Sequence, residues 1–319
     1  IGVGAPLALV ALRFIQGFGV GGEWGGAVLM ATEHAGKGNR GLCASWPQAG
    51  VSAGMLLATA VFAAFSRLPQ EAFMAWGWRA PFLLGIFLVL VGLYVRTSVA
   101  ESEAFEKAKE EGVSRFPVLD AIRNHPRSIL LAMGARLAEN ASFYVFSVFV
   151  LTYATTQRGL STALVLQAVL AASAVELVTI PIFGWLSDRW GRRPVYLAGA
   201  AATGVWGFAF FALIDTGSPA AVFVAVSVAL GLCHAAMYGP QAAFFSELFG
   251  TKVRYSGASL GYQLASPLAG GLAPLIATAL LARAGGRPWM VALYLAGLSL
   301  VTVISILAAR ETSRSELEG

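Results

Sequence analysis

Apolar and polar positions divide this chain into long oily runs and short charged breaks. Nine runs, roughly 7–32, 42–65, 79–97, 128–153, 161–186, 194–214, 219–246, 256–281 and 289–309, are each long enough to cross a hydrocarbon core of about 30 Å as a helix. Seven of the eight breaks are short, which predicts antiparallel neighbours. The eighth, 98–127, carries ESEAFEKAKEEG and reads as a solvent-exposed, partly helical linker between two bundles. The pattern therefore predicts an all-α polytopic membrane bundle. Its parts are helices within 1–97, a linker over 98–127, and a six-helix bundle with a short tail over 128–319.

Composition points the same way. The 319 residues are 57% hydrophobic and 12% charged, with mean hydropathy +0.70, whereas soluble domains carry roughly 25% charged residues. Thirty-six glycines suit helices packed closely in lipid. Cys43 and Cys233 lie far apart in or beside apolar runs, as small hydrophobes rather than a disulfide framework or a metal site. The net charge of +5 is distributed over loops with no larger basic patch, so no nucleic-acid partner is expected. Fifteen lysines and arginines fall in one set of connections and five in the opposite set, with Arg13 and Arg136 inside spans. The positive-inside rule then places the linker and C-terminus in the cytoplasm, in a cell inner (plasma) membrane, with residue 1 outside.

One polar break is unlike the others. GWLSDRWGRRP, residues 184–194, packs four charges into six positions between apolar runs. A weak internal repeat bears on why it occurs once. GFGVGGEWGGAVLMATEHAGKGNR (17–40) aligns with GLCHAAMYGPQAAFFSELFGTKVR (231–254), pairing Gly17 with Gly231, Gly25 with Gly239, Glu33 with Glu247 and Arg40 with Arg254, and Trp24 with Tyr238. At that offset a twin of the charged break would precede Ile1. Six spans follow the linker and three precede it, so the expectation is twelve helices less the first three. Residues 1–97 then form the remainder of an N-terminal bundle, helices four to six.

The motifs also carry a resemblance. Gly184, Asp188, Arg189, Gly191, Arg192 and Arg193 resemble the cytoplasmic loop signature of the major facilitator superfamily. RFIQGFGVGGE (13–23) is similar to that superfamily's fourth-helix motif. WGWRAPFLLG (76–85), RTSVAESEAFE (96–106) and YGPQAAFFSELFGTKVRYSGASLGYQLA (238–265) resemble its metabolite:proton symporter family. Members of that family carry small organic acids and osmolytes such as shikimate, 2-oxoglutarate, citrate and proline/betaine. The resemblance implies alternating access, a small organic anion or zwitterion and protons as partners in the bilayer, no cofactor, and Tyr238 and Gln241 among the substrate-binding residues.

Physical chemistry singles out three groups of side chains. Arg13, Gln16 and Glu23 share one arc of the first span, beside a seam of Gly17, Gly21 and Gly25. Arg136, Glu139, Asn140 and Tyr144 share an arc of the fourth. A guanidinium there can bind a carboxylate with both prongs, and Glu23 or Glu139, desolvated, can exchange a proton. Charges at such depth are costly and default to function, although an Arg–Glu pair can equally be packing glue. Third, Asp188, Arg189, Gly191, Arg192 and Arg193, with Glu33, Arg40, Glu247 and Arg254, form a candidate gate at the cytoplasmic ends. The other reading of that cluster is a topological anchor. Glu176 is a weaker candidate, and His234 reads as a hydrogen-bonded core histidine. Secondary active transport, probed against a sugar-type facilitator without proton coupling, is the leading function. A polytopic membrane enzyme would want a catalytic cluster at a membrane face, which three scattered histidines do not supply, and no metal ligands are spaced as a set.

Overall fold

In the computed structural model, residues 2–36, 38–98, 117–250 and 253–314 are described. They form α1 (Gly4–Glu33), α2 (Arg40–Phe65), short α3 (Gln70–Ala75), α4 (Ala80–Ser98), α5 (Pro117–Asn124), α6 (Pro126–Arg158), α7 (Thr162–Trp190), α8 (Arg192–Asp215), α9 (Pro219–Glu247), α10 (Arg254–Arg283) and α11 (Trp289–Ala308). Among the described residues, nine helices are long and apolar enough to span a membrane, and the chain is a multi-pass membrane protein. Their ends fall within five residues of the apolar runs. The linker segment ESEAFEKAKEEG lies outside the described residues. The linker's last part is α5, leading into Pro126 at the first turn of α6, where the missing amide costs nothing.

Long helices of this kind need no amphipathic stripe, because lipid accepts apolar side chains on every exposed face. α4 accordingly exposes Phe82, Leu83, Phe87, Leu88 and Val89. Polar groups are instead sorted by depth. One apolar layer gathers Phe146, Phe149, Phe210, Phe211 and Leu230, and a second gathers Ile129, Tyr196, Phe244, Phe245 and Ile306 toward the end shared by Glu33 and Arg254. Glu139 and Asn140 of α6, Thr203 of α8, His234 of α9 and Ser266 of α10 fall between those layers. π-helical turns interrupt α6 at Val145–Phe149, α9 at Ala229–His234 and α10 at Ser266–Gly271. Such turns rotate the residues that follow and recur at functional sites. Here His234 ends one and Ser266 begins another.

Candidate functional site: a buried charged layer and a charged cluster at the helix ends

Arg136 and Glu139 are one helical turn apart, 5% and 2% exposed, and joined by a 2.7 Å ion pair. By a rise of 1.5 Å per residue, Arg136 sits about 15 Å from the start of α6, far from either end of a helix longer than a hydrocarbon core of about 30 Å. Neighbouring helices converge on the pair. From α9, Gln241 accepts from Arg136 Nη1 at 2.9 Å and donates to Glu139 Oε2 at 3.0 Å. Gln241 also donates to the Tyr196 hydroxyl of α8 at 2.7 Å, and that hydroxyl donates to the Ala135 carbonyl at 3.0 Å. From α10, Ser266 accepts from Arg136 Nε at 3.4 Å, and the Tyr262 ring lies 3.2 Å beneath the guanidinium. Trp24 of α1 stacks on the other face of Tyr262 at 3.8 Å and donates to Gln48 of α2 at 2.7 Å. Gln48 in turn donates to the Tyr238 carbonyl at 3.4 Å. The layer extends sideways through His234, whose Nε2 lies 3.0 Å from Glu139 and whose Nδ1 lies 2.5 Å from Glu176 of α7. Ser52 of α2 donates to Glu176 at 2.8 Å. Burying these charges is tolerable only because each has a partner.

The second site lies where α1, α2, α7, α9 and α10 end or begin. Asp188 accepts the backbone amides of Gly41 and Leu42 at 2.8 and 2.9 Å. Those are orphan donors of the first turn of α2, so α7 supplies an acidic cap to a helix from the other side of the linker. Arg192 joins Asp188 at 2.7 Å to Glu247 of α9 at 3.0 Å. Arg254, starting α10, pairs with Glu33, ending α1, at 3.3 Å. Gly191 makes the turn between α7 and α8 at φ 103°, a region that side chains resist. Beyond α11, Glu311 accepts the amides of Arg192 (2.8 Å) and Arg193 (3.0 Å), and Thr312 donates to Glu247 at 2.7 Å. Burial would push the Glu311 carboxyl up, but the amides of Ser313, Arg192 and Arg193 outweigh it and hold the group below the usual carboxylate range.

The structure thus brings Arg136, Glu139 and Gln241 into contact, with the Tyr238 backbone beside them. Asn140 is buried on the next turn and its Nδ2 has no partner among the described residues. Tyr144, half-buried, lies a turn further on. Arg13 and Gln16 bond to each other at 2.9 Å on the exposed face of α1, where Glu23 is also exposed. In the charged cluster at the helix ends, Arg193 caps the carbonyls of Ile306 and Leu307 at the end of α11, and Arg189 stacks over Trp185 at 4.0 Å. Arg40 begins α2 within the same cluster. Sequence reasoning missed Trp24, Gln48, Ser52, Tyr196, Tyr262, Glu311 and Thr312, and ranked His234 and Glu176 low. The one available signal was polar residues inside oily spans, which marks Gln48 and Ser52 but does not say what they face.

A charged layer buried midway down a bundle of spanning helices is the architecture of a membrane transporter. The comparisons agree. A model of the Major Facilitator Superfamily matches residues 2–177 and again 141–318. The chain belongs to that superfamily, among its metabolite transporters. It is similar to the shikimate transporter of Escherichia coli (strain K12), 39% identical over 99% of this chain and 73% of that protein. It is similar to the proline/betaine transporter of the same organism, 31% identical over 100% of this chain and 65% of that protein. Its fold matches the proton:xylose symporter XylE bound to 6-bromo-6-deoxy-D-glucose, with TM-score 0.66 and 19% identity over 91% of this chain and 68% of that one.

Proposed function

We propose that this protein is a secondary active transporter that moves a small organic anion or zwitterion across the cytoplasmic membrane by alternating access, together with a proton. The observation that supports it most is the buried Arg136–Glu139 pair. A guanidinium is a two-pronged carboxylate receptor, and Glu139 holds it in the absence of substrate. Shikimate, proline and betaine, which the relatives' names mention, all present a carboxylate. Such a group competes with Glu139 for Arg136, and the free amide of Asn140 one turn away offers it a further donor. Glu139, displaced from its cation in a dry site, then takes a proton, because a lone buried carboxylate is strongly disfavoured. Substrate and proton thereby enter as one neutralising set. Asp188, the Arg192–Glu247 pair and the Arg254–Glu33 pair act as a latch that closes the cytoplasmic ends.

Proton-driven uptake and counterflow, run side by side in proteoliposomes with labelled shikimate, glycine betaine and xylose, test this reading. Glu139→Gln is expected to lose uphill accumulation and keep counterflow, because exchange needs no net proton movement. Normal accumulation in Glu139→Gln, or uptake of xylose alone, would sink it.

A further inference from the structure

The polar layer contains an arrangement that the Arg136–Glu139 pair does not account for. His234, 1% exposed, has a carboxylate at each ring nitrogen: Glu176 Oε1 at Nδ1 and Glu139 Oε1 at Nε2. Each contact is a hydrogen bond only if a proton lies in it, since otherwise lone pair opposes lone pair. A neutral imidazole brings one proton, and two carboxylates bring none. The trio therefore holds one proton more than a neutral ring supplies. Charge gives the same count. With that proton, Arg136, Glu139, Glu176 and His234 sum to zero; without it, the layer carries an uncompensated negative charge that burial opposes.

Among the described residues, the surroundings of the ring add no other charge. Tyr238 of its own helix tilts against it at 5.0 Å and Phe143 of α6 at 5.3 Å. From α8, Tyr196 reaches the layer through Gln241; from α10, Tyr262 reaches it through Arg136; from α2, Ser52 reaches it through Glu176 and Gln48 through the Tyr238 carbonyl, both uncharged. The ring stands between the carboxylates, so they do not converge as metal ligands would, and no metal-holding group of three occurs among the described residues.

We propose that Glu139, His234 and Glu176 together are the proton-carrying site, one exchangeable proton being shared across the imidazole, and that Ser52 ties its occupancy to α2. This rests on the proton-coupled reading above and replaces a single carboxylate carrier with a three-group relay. When a substrate carboxylate draws Arg136 away, Glu139 takes the Nε2 proton, and the neutral ring still donates from Nδ1 to Glu176. When the proton leaves the layer, one N···O contact has no hydrogen, and one carboxylate must turn from the ring. If Glu176 turns, it releases Ser52, and so the proton state reaches the boundary between α2 and α7.

Infrared difference spectra of the full chain in lipid, titrated with acid and base in the absence of substrate, test this. A shared proton predicts one coupled transition that Glu139→Gln, His234→Gln and Glu176→Gln each abolish. Glu71→Gln, on exposed α3, leaves it unchanged, and Ser52→Ala keeps the transition but moves its midpoint. If each substitution removes only its own band, or no buried carboxyl or imidazole band titrates, the proposal is overturned. Glu176→Gln leaves the Arg136–Glu139 pair in place, so it decides the matter should His234→Gln fail to fold: an unchanged transition in that variant overturns the relay. Because no substrate is present, this outcome is independent of uptake. Loss of the transition's coupling with intact carboxylate selectivity fails the relay alone, and the reverse fails the carboxylate reading alone.

Discussion

Arg136 is held by an ion pair, two hydrogen bonds and a ring face, and these restraints come from α6, α9 and α10. A lysine keeps the charge but has neither the planar fork nor the flat face that lies on Tyr262. Arg136→Lys is therefore expected to weaken substrate binding by about 10-fold or more, as for loss of a charge-assisted contact of roughly 1.5–3 kcal/mol. Equilibrium binding or counterflow half-saturation checks it; an unchanged value removes Arg136 from the substrate site. Glu311 supports a prediction with a definite sign. Its carboxyl is held below the usual range, so what it contributes is present above the unfolded value of about 4.3 and is lost as pH falls through the lower folded value. Hydrogen exchange at the Arg192 and Arg193 amides, corrected for intrinsic rate, should stay protected from neutral pH down to the ordinary glutamate range and collapse only below it. Glu311→Gln should reduce that protection at neutral pH and remove its collapse at low pH. The charges themselves were legible in the sequence, since Arg136 and Glu139 interrupt an oily run. Gln241 came only with the family resemblance, and Tyr262 and Tyr196 not at all, because they are brought near by helix packing that no local pattern encodes.

At the scale of elements, α2 and α7 approach so closely that neither tolerates a side chain at the contact. A Cβ on Gly41 would fall against the Gly184 carbonyl, and one on Gly184 would fall 2.6 Å from that of Gly41. Backbone cannot give way cheaply, so Gly41→Ala should push the start of α2 away from Asp188. Cross-linking between the two helix ends then falls, while overall helicity is unchanged. Full cross-linking in this variant would show that the contact relaxes some other way. This crossing was half legible. Gly184 and Asp188 stand out in the charged break, but the partners of Asp188 are bare amides of α2, which carry no sequence signature. The spans were read to within a few residues because apolar length alone sets them. The π-turns were not, since Ala229–His234 and Ser266–Gly271 have ordinary compositions, and the extra residue per turn is a product of neighbouring helices.

Across the whole molecule, helices before and after the linker are joined at two depths: the Asp188 cap and the Arg254–Glu33 pair at one end, and the Ser52–Glu176 and Trp24–Gln48–Tyr238 contacts midway. A latch and an anchor make different demands on this arrangement. An anchor only fixes which end faces the cytoplasm, and charge is enough for that. A latch must stabilise one packing of the helices over another, so weakening it shifts a population. Asp188→Asn keeps the shape but gives up the full negative charge at the positive end of α2 and breaks the pair with Arg192. Cysteines replacing Gly26 and Tyr255, which face each other where α1 meets α10, report the packing. Cys43 and Cys233, both free, are first replaced. A latch predicts that Asp188→Asn and Arg254→Gln each lower cross-linking in lipid, the double variant lowers it further, and thermal stability changes little. Substrate transport should change with them, because the balance between the two packings sets the turnover. Cross-linking and transport that are both indifferent to Asp188→Asn would leave the cluster as an anchor, and alternating access would have to be closed by the midway contacts alone.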